Sequence, residues 1–282
     1  MSASTRKAAI TGFPVDQSRS PLVHGYWLKK HGLDGEYGRV PVTPETANAF
    51  YKNFAASGLI GANVTVPHKE VAAAACAHLD DAAKAMGAAN TLWLDETGAL
   101  CGANTDGLGF LGNLDQLAPG WDASGGTAVV LGAGGAARAI IWALLSRGFT
   151  AVHIVNRTFE KAKVLQDQFG SKTKAHAWDK LGTLLGEADL LVNTTALGMT
   201  GKAPLEIDLD PLPKSALVTD IVYVPLETDL LKQAAERGNK TVDGLGMLLH
   251  QAVPGFERWF GVRPEVDKEL RDLVLADLGV TP

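Results

Sequence analysis

Residues 127–138, TAVVLGAGGAAR, constrain this chain more than any other stretch. A β-branched run stops at Gly132, and small residues follow at Gly134 and Ala137, the G-x-G-x-x-A spacing. Gly132 permits a tight turn out of a strand, Gly134 lets backbone amides approach an anion, and Ala137 lets a helix lie close to the strand. A helix that opens there offers unpaired N–H groups, so Gly132, Ala133, Gly134, Gly135 and Ala136 form an expected cradle for a pyrophosphate. Glycine loops also serve as plain strand-to-helix turns, so the surroundings have to decide.

The next expected strand is 151–155. A site for NAD usually has Asp or Glu about 20 residues past the loop, where it accepts bonds from a ribose 2′-hydroxyl. Here the strand runs into Asn156, Arg157 and Thr158, with Lys161 one turn on. A cationic, donor-rich strand end suits a 2′-phosphate, because a guanidinium pairs with it bidentately and stacks on the adenine. The reading is therefore NADP. The plainer alternative is that Asn156 or Thr158 merely starts a helix and Arg157 is solvated.

Upstream, strands are expected at 7–13, 35–43 and 60–67, with helices at 21–31, 44–58 and 68–79. That alternation implies a mostly parallel sheet. Residues 90–106 differ: two apolar runs flank DETG, which reads as a hairpin. A helical segment follows at 107–117 and a loop at 118–126. The β-α rhythm then restarts with strands at 127–131, 151–155, 189–194, 217–222 and 240–242, helices at 134–148 and 158–169, and helices over 244–278. Two β-α series, the second opening at a glycine loop, predict an α/β chain of two domains with a ligand in the cleft.

Composition excludes other classes. The net charge is −5 with no basic stripe, which argues against a nucleic-acid partner. No apolar run reaches the roughly 18–20 residues of a membrane span, and MSASTRKAAITGF is not a signal peptide. Cys76 and Cys101 form no CxxC pair, which fits a reducing cytoplasm, and seven scattered histidines show no metal-ligand spacing.

The first half carries a polar constellation. In SRSPLVH, Ser20 precedes Pro21, a good cap for a helix, while Ser18 and Ser20 together make a seat for a small carboxylate. In VTVPHKE, Lys69 opens a helix, where the macrodipole is positive. An amine so placed should lose its proton more easily and serve as an acid–base group. Asn90 (in GAANT) and Asp106 (in GANTDGLG) stand at strand ends on the edge of the sheet where ligands of open α/β folds bind. Asp106 before Gly107 is also an ordinary turn pair.

Together these pieces resemble the shikimate dehydrogenase family over nearly the whole chain. The family's S-x-S-P-x-x-H matches Ser18 to His24, and N-V-T-x-P-x-K matches Asn63 to Lys69. G-A-x-N-T ends on Asn90 and Thr91, and N-T-D-G contains Asp106. Then come G-A-G-G-A-x-R at 132–138, N-R-T at 156–158, N-x-T-x-x-G-M at 193–199, DIVYVPLET at 220–228 and DGLGMLLHQA at 243–252. Many members carry Asn where this chain has Gly25, and Arg where it has Lys161.

The resemblance implies reversible NADPH-dependent reduction of 3-dehydroshikimate to shikimate. Lys69 and Asp106 are the implied catalytic pair, without deciding which is the formal acid. Ser18, Ser20, Thr65, Asn90, Tyr223 and Gln251 are implied to bind substrate, and Thr194, Gly244 and Met247 to join the cofactor contacts. It also implies a discontinuous substrate domain, 1–106 plus 244–282, and a Rossmann NADP domain, 107–243. The expected protein is a cytoplasmic monomer or homodimer. A quinate/shikimate dehydrogenase of dual range, methylenetetrahydrofolate dehydrogenase and a non-catalytic NADP-binding regulator are the competing readings.

Overall fold

A computed structural model describes residues 5–123 and 125–280. Residues 1–4 and 281–282 of the expected first domain, and Ser124 of the expected loop, lie outside it. The chain divides into two compact units, Met1–Asp106 with Leu249–Pro282, and Gly107–Leu248.

The first unit runs β1 (Arg6–Gly12), α1 (Ser20–Lys30), β2 (Gly35–Pro41), α2 (Pro44–Lys52), β3 (Gly61–Val64), α3 (Lys69–Ala75), β4 (His78–Leu79), α4 (Asp81–Met86), β5 (Thr91–Leu94) and β6 (Leu100–Ala103). Its sheet has the order β2-β1-β3-β5-β6-β4. Strands β2, β1 and β3 are parallel, β5 and β6 form the expected antiparallel hairpin, and β4 runs parallel to β6. Helix α1 starts on Pro21 and ends on Lys29 and Lys30, whose charges oppose the negative helix end. All four residues of β3 are buried, as a central strand covered on both faces requires.

Two expected helices break where the sequence pattern does not show it. The 44–58 segment ends as α2 at Lys52, because the Asn53 side chain donates to the Ala49 carbonyl and competes with the helix ladder. A single 3₁₀ turn, Phe54–Ser57, then reaches Gly58 in the left-handed region. The alanine-rich 68–79 segment leaves the helix at Cys76, whose backbone is extended, and its end joins the sheet as β4. Sheet pairing there overrides helix propensity.

The second unit opens with α5 (Asp106–Leu117, whose first residue belongs to the first unit). It continues through β7 (Thr127–Leu131), α6 (Gly135–Ser146), β8 (Ala151–Val155), α7 (Phe159–Phe169), β9 (Thr173–His176), α8 (Leu181–Leu185), β10 (Leu190–Asn193), β11 (Leu217–Asp220), α9 (Asp229–Arg237) and β12 (Lys240–Val242). Its sheet, in the order β12-β11-β10-β7-β8-β9, is parallel throughout. Alternate residues of β7 serve opposite faces: Ala128 and Val130 enter one core cluster, Val129 and Leu131 the other. Strand β9, TKAH, is an edge strand without apolar alternation, which is why the pattern misses it.

The chain ends in α10 (Leu245–His250), α11 (Val253–Phe260) and α12 (Lys268–Asp277), of which α11 and α12 belong to the first unit. Helix α11 sets Trp259 against Gly61, where any Cβ would lie 1.9 Å from the indole nitrogen. That nitrogen donates to the Leu92 carbonyl at 2.9 Å. No described helix is long and apolar enough to cross a membrane.

Candidate active site

The first unit gathers its polar residues at the ends of β1, β3, β5 and β6. Ser18 and Ser20 are adjacent: the Ser18 hydroxyl donates to the Ser20 hydroxyl at 3.2 Å and accepts from the Ser20 amide at 3.3 Å. Ser20 is the first residue of α1, the cap position falls to Arg19, and no side-chain bond caps this helix. Capping therefore does not account for Ser20. Arg19 turns away from the hydroxyls and pairs with Asp277 of α12 at 3.1 Å, while Arg39 of β2 donates to the Ser18 carbonyl at 2.7 Å.

Lys69 is the first residue of α3 and Asp106 the first of α5, and their side chains meet at 2.5 Å. A carboxylate is favoured at the start of a helix, and a lysine there gains from a carboxylate opposite it. The second oxygen of Asp106 accepts from the Asn90 amide at 2.7 Å. Asn90, 3% exposed, has its own oxygen occupied by the Thr105 amide and the Thr91 and Thr105 hydroxyls. This places the Asn90 donor on Asp106 without choice. The Thr105 hydroxyl also lies 2.8 Å from the Gln251 carbonyl, bringing the 249–282 return to the same spot. The Lys69 side chain is 30% exposed and that of Asp106 18%, so the pair is sheltered yet reachable. Thr65 follows β3, half-buried against Gly12.

Sequence reasoning missed what lies behind this group. Asn63 of β3 accepts from Tyr37 at 2.7 Å and bonds His24 at 3.2 Å. The His24 ring stacks on Tyr37 with centroids 4.0 Å apart. Burial drives the His24 pKa down to about 3, outweighing its bond to Asn63, so the imidazole is neutral. The Tyr37 hydroxyl bonds Ser20, and burial holds its pKa well above the usual tyrosine value. The available signal was the i, i+2 spacing of Tyr37 and Arg39, which puts both on one face of β2.

The second unit presents a different kind of site. Gly132 leaves β7 with φ +107°, and a Cβ there would meet the Thr194 hydroxyl at 2.7 Å. Thr194 in turn donates to the Leu131 carbonyl at 2.6 Å. Beside Gly134 and Gly135 the space is open to at least 4 Å, so an anion can approach the amides that begin α6. Ala133 and Ala136 are half-buried and Ala137 is fully buried against the core, which holds α6 close to β7.

At the end of β8 the Asn156 side chain donates to the Thr158 carbonyl at 2.8 Å. Thr158 stands at the cap of α7 but its hydroxyl makes no capping bond. Arg157, Thr158 and Lys161 are exposed. Open glycine amides and two exposed cations one strand away fit the pyrophosphate and 2′-phosphate of NADP. Beyond β10 and β11 lies a cavity of about 320 Å³ lined by Thr194, Thr195, Met199, Ile221 and Tyr223. Gly244 packs against the Ile221 carbonyl, where a Cβ would sit at 2.4 Å, and Met247 packs on the core beside α10. Among the described residues no group of His, Cys, Asp and Glu could hold a metal ion.

Comparison with known proteins follows the same division. The shikimate dehydrogenase substrate binding domain family matches residues 10–92, the shikimate/quinate 5-dehydrogenase family 116–221, and the shikimate 5′-dehydrogenase C-terminal domain family 244–268. A shikimate dehydrogenase (NADP(+)) of Azorhizobium caulinodans is 58% identical over 97% of both chains. One of Brucella abortus is 57% identical over 98% of this chain and 96% of its own. Among solved structures, shikimate 5-dehydrogenase of Thermus thermophilus in complex with NADP(H) and shikimate superposes with a TM-score of 0.82, at 33% identity, over 96% of this chain and 99% of that one.

Proposed function

The chain belongs to the shikimate dehydrogenase family, and on that premise we propose how its own residues divide the work. It is an NADP-dependent oxidoreductase acting on a CH–OH group, reducing 3-dehydroshikimate to shikimate on the route to chorismate and the aromatic amino acids. The observation that carries the assignment of residues is the hydrogen-bonded set Lys69–Asp106–Asn90.

Residues 1–106 with the 244–282 return form the substrate domain, and 107–243 the cofactor domain. Ser18 and Ser20 donate to the substrate carboxylate, which fixes the orientation of the ring. Thr65, Asn90, Tyr223 and Gln251 contact the substrate. Gly132, Ala133, Gly134, Gly135 and Ala136 hold the pyrophosphate, and Asn156, Arg157, Thr158 and Lys161 the 2′-phosphate. Thr194, Gly244 and Met247 complete the cofactor contacts. When bound, NADPH supplies the hydride for the ketone carbon. Lys69, as ammonium, stabilises the negative charge that grows on the ketone oxygen and gives it a proton; in reverse, the amine accepts one. Asp106 orients Lys69 and accepts from a substrate hydroxyl. The assigned setting is the cytoplasm, as monomer or homodimer, which light scattering checks.

The test follows NADPH absorbance with shikimate, with quinate and with neither, using NADP and NAD in turn. Shikimate with NADP should be fastest, and Lys69→Ala should abolish most of that rate. Wild-type turnover in a folded Lys69→Ala protein sinks the catalytic assignment; turnover of quinate equal to that of shikimate replaces the substrate reading by the dual-range one.

A further inference from the structure

The carboxylate seat and the acid–base pair are joined by one continuous run of hydrogen bonds whose directions follow from the chemistry of its members. The Asn63 amide nitrogen faces the Asn90 carbonyl and the Thr91 hydroxyl, each at 3.3 Å. A carbonyl only accepts, so the donor end of Asn63 must point there and its oxygen must point the other way. That oxygen then takes the Tyr37 hydroxyl proton and an N–H from His24. The neutral imidazole of His24 therefore carries its hydrogen on Nε2. Having given its only proton to Asn63, Tyr37 can only accept from Ser20. In the other direction, Thr91 donates to the Asn90 oxygen at 3.1 Å, and Asn90 donates to Asp106, which holds Lys69. The path Ser18–Ser20–Tyr37–Asn63–Thr91–Asn90–Asp106–Lys69 thus has a proton assigned to every bond.

We propose that Tyr37 is a positioning residue for the reaction, the link that makes the carboxylate seat and the acid–base pair one unit. This rests on the functional reading above and deepens it. Three features set Tyr37 apart from a residue that merely fills space. Its hydroxyl bridges two groups from different elements, Ser20 of α1 and Asn63 of β3. Its ring is held by the stack on His24, so the hydroxyl has no other place to go. The neighbour two residues on, Arg39, holds the Ser18 carbonyl from the same strand, so β2 braces both serines.

Steady-state kinetics on Tyr37→Phe test the proposal, because this change removes the oxygen and keeps the stacked ring. Losing one partly buried hydrogen bond is worth roughly a 3- to 10-fold change. The KM for shikimate should rise by about that factor and kcat should fall by less, while the KM for NADP stays unchanged. The effect should also depend on the partners. In a Ser20→Ala background, Tyr37→Phe should change the shikimate KM less than about twofold, and in a Thr91→Val background it should no longer lower kcat.

Kinetic constants for Tyr37→Phe equal to wild type overturn the proposal. So do effects that multiply undiminished through both backgrounds, or a KM for NADP that rises in step with that for shikimate. If Tyr37→Phe does not fold, coupling between Ser20→Ala and Thr91→Val carries the same test: non-additive losses support the link and independent losses overturn it. Wild-type activity with shikimate and its loss in Lys69→Ala are judged separately, so the functional reading can stand while this inference fails.

Discussion

The two units solve the problem of binding a small polar molecule in opposite ways. The first uses side chains, and nearly all of them are sheltered and doubly committed: Asn90 makes four hydrogen bonds, and Asn63 is held by His24, Tyr37, Thr91 and a backbone carbonyl. The second uses backbone amides at a helix start and cations at the surface. A pyrophosphate is the same in every substrate, so amides and a glycine turn suffice for it. One ring among similar hydroxy acids has to be told apart, and that needs several directed groups whose angles cannot drift. The comparison teaches where substitutions should be costly: in the first unit each lost group leaves a buried partner unsatisfied, whereas in the second water can replace much of what is lost.

The sharpest way to break the contrast is Lys69→Ala. Removing a positioned acid–base group costs roughly 10²–10⁴-fold, and the loss should fall on kcat with a smaller effect on the KM for shikimate. Stopped-flow or steady-state absorbance at saturating NADPH reads it directly. The next largest effect belongs to Ser20→Ala. A hydrogen bond to a charged group is worth about 1.5–3 kcal/mol, or roughly 10- to 100-fold. That loss should raise the KM for shikimate and leave the KM for NADP alone. A large rise in both constants would mean that the seat holds up the fold instead of the acid.

How legible this was depends on the kind of signal each residue leaves. Gly132 and Ala137 announce themselves because a positive φ and a close helix–strand approach admit few residue types. Lys69 was conspicuous because it stands where the helix macrodipole disfavours it, and Asp106 opposite it supplies the compensation. Tyr37 left no such trace: an aromatic residue on a strand is the commonest thing a sheet contains, and its role comes from what α1 and β3 bring to it. The same physics hid β4. An alanine-rich run favours a helix by local propensity, and only the distant β6 edge reveals why the chain abandons it at Cys76.

His24 offers a smaller test of the buried half, read as stability. Its imidazole is neutral in the folded protein down to about pH 3, whereas an unfolded histidine takes up a proton below about 6.5. The folded pKa is depressed, so the stability due to His24 is complete above about 6.5 and is lost progressively as pH falls toward 3. The slope is about 1.4 kcal/mol per pH unit. His24→Gln removes the titration. At pH 7 the variant should be less stable than wild type, and the two Tm curves should converge as pH drops from 6.5 to 4. The lowered pKa values of His153 and His176 contribute equally to both proteins and cancel in the difference. Parallel curves would show that His24 is reached by water and protonated in the native state.

The smallest expected effect lies at the exposed end of β8. Arg157 and Lys161 are both at the surface, and neither side chain stands in for a buried partner, so removing one leaves the other to attract the 2′-phosphate. Arg157→Ala should therefore raise the KM for NADP only about fivefold, consistent with a surface charge pair worth up to about 1 kcal/mol, and leave the KM for NAD unchanged. Salt gives the decisive reading. An exposed pair is screened as the Debye length shrinks from about 10 Å at 0.1 M salt to about 3 Å at 1 M. The wild-type preference for NADP should then shrink toward that of the variant at high salt, while the cost of Ser20→Ala, a sheltered directed bond, persists. If instead the Arg157→Ala penalty survives 1 M salt and exceeds that of Ser20→Ala, the guanidinium is acting as a directed, desolvated clamp, and the division of labour between the two units is not the one described.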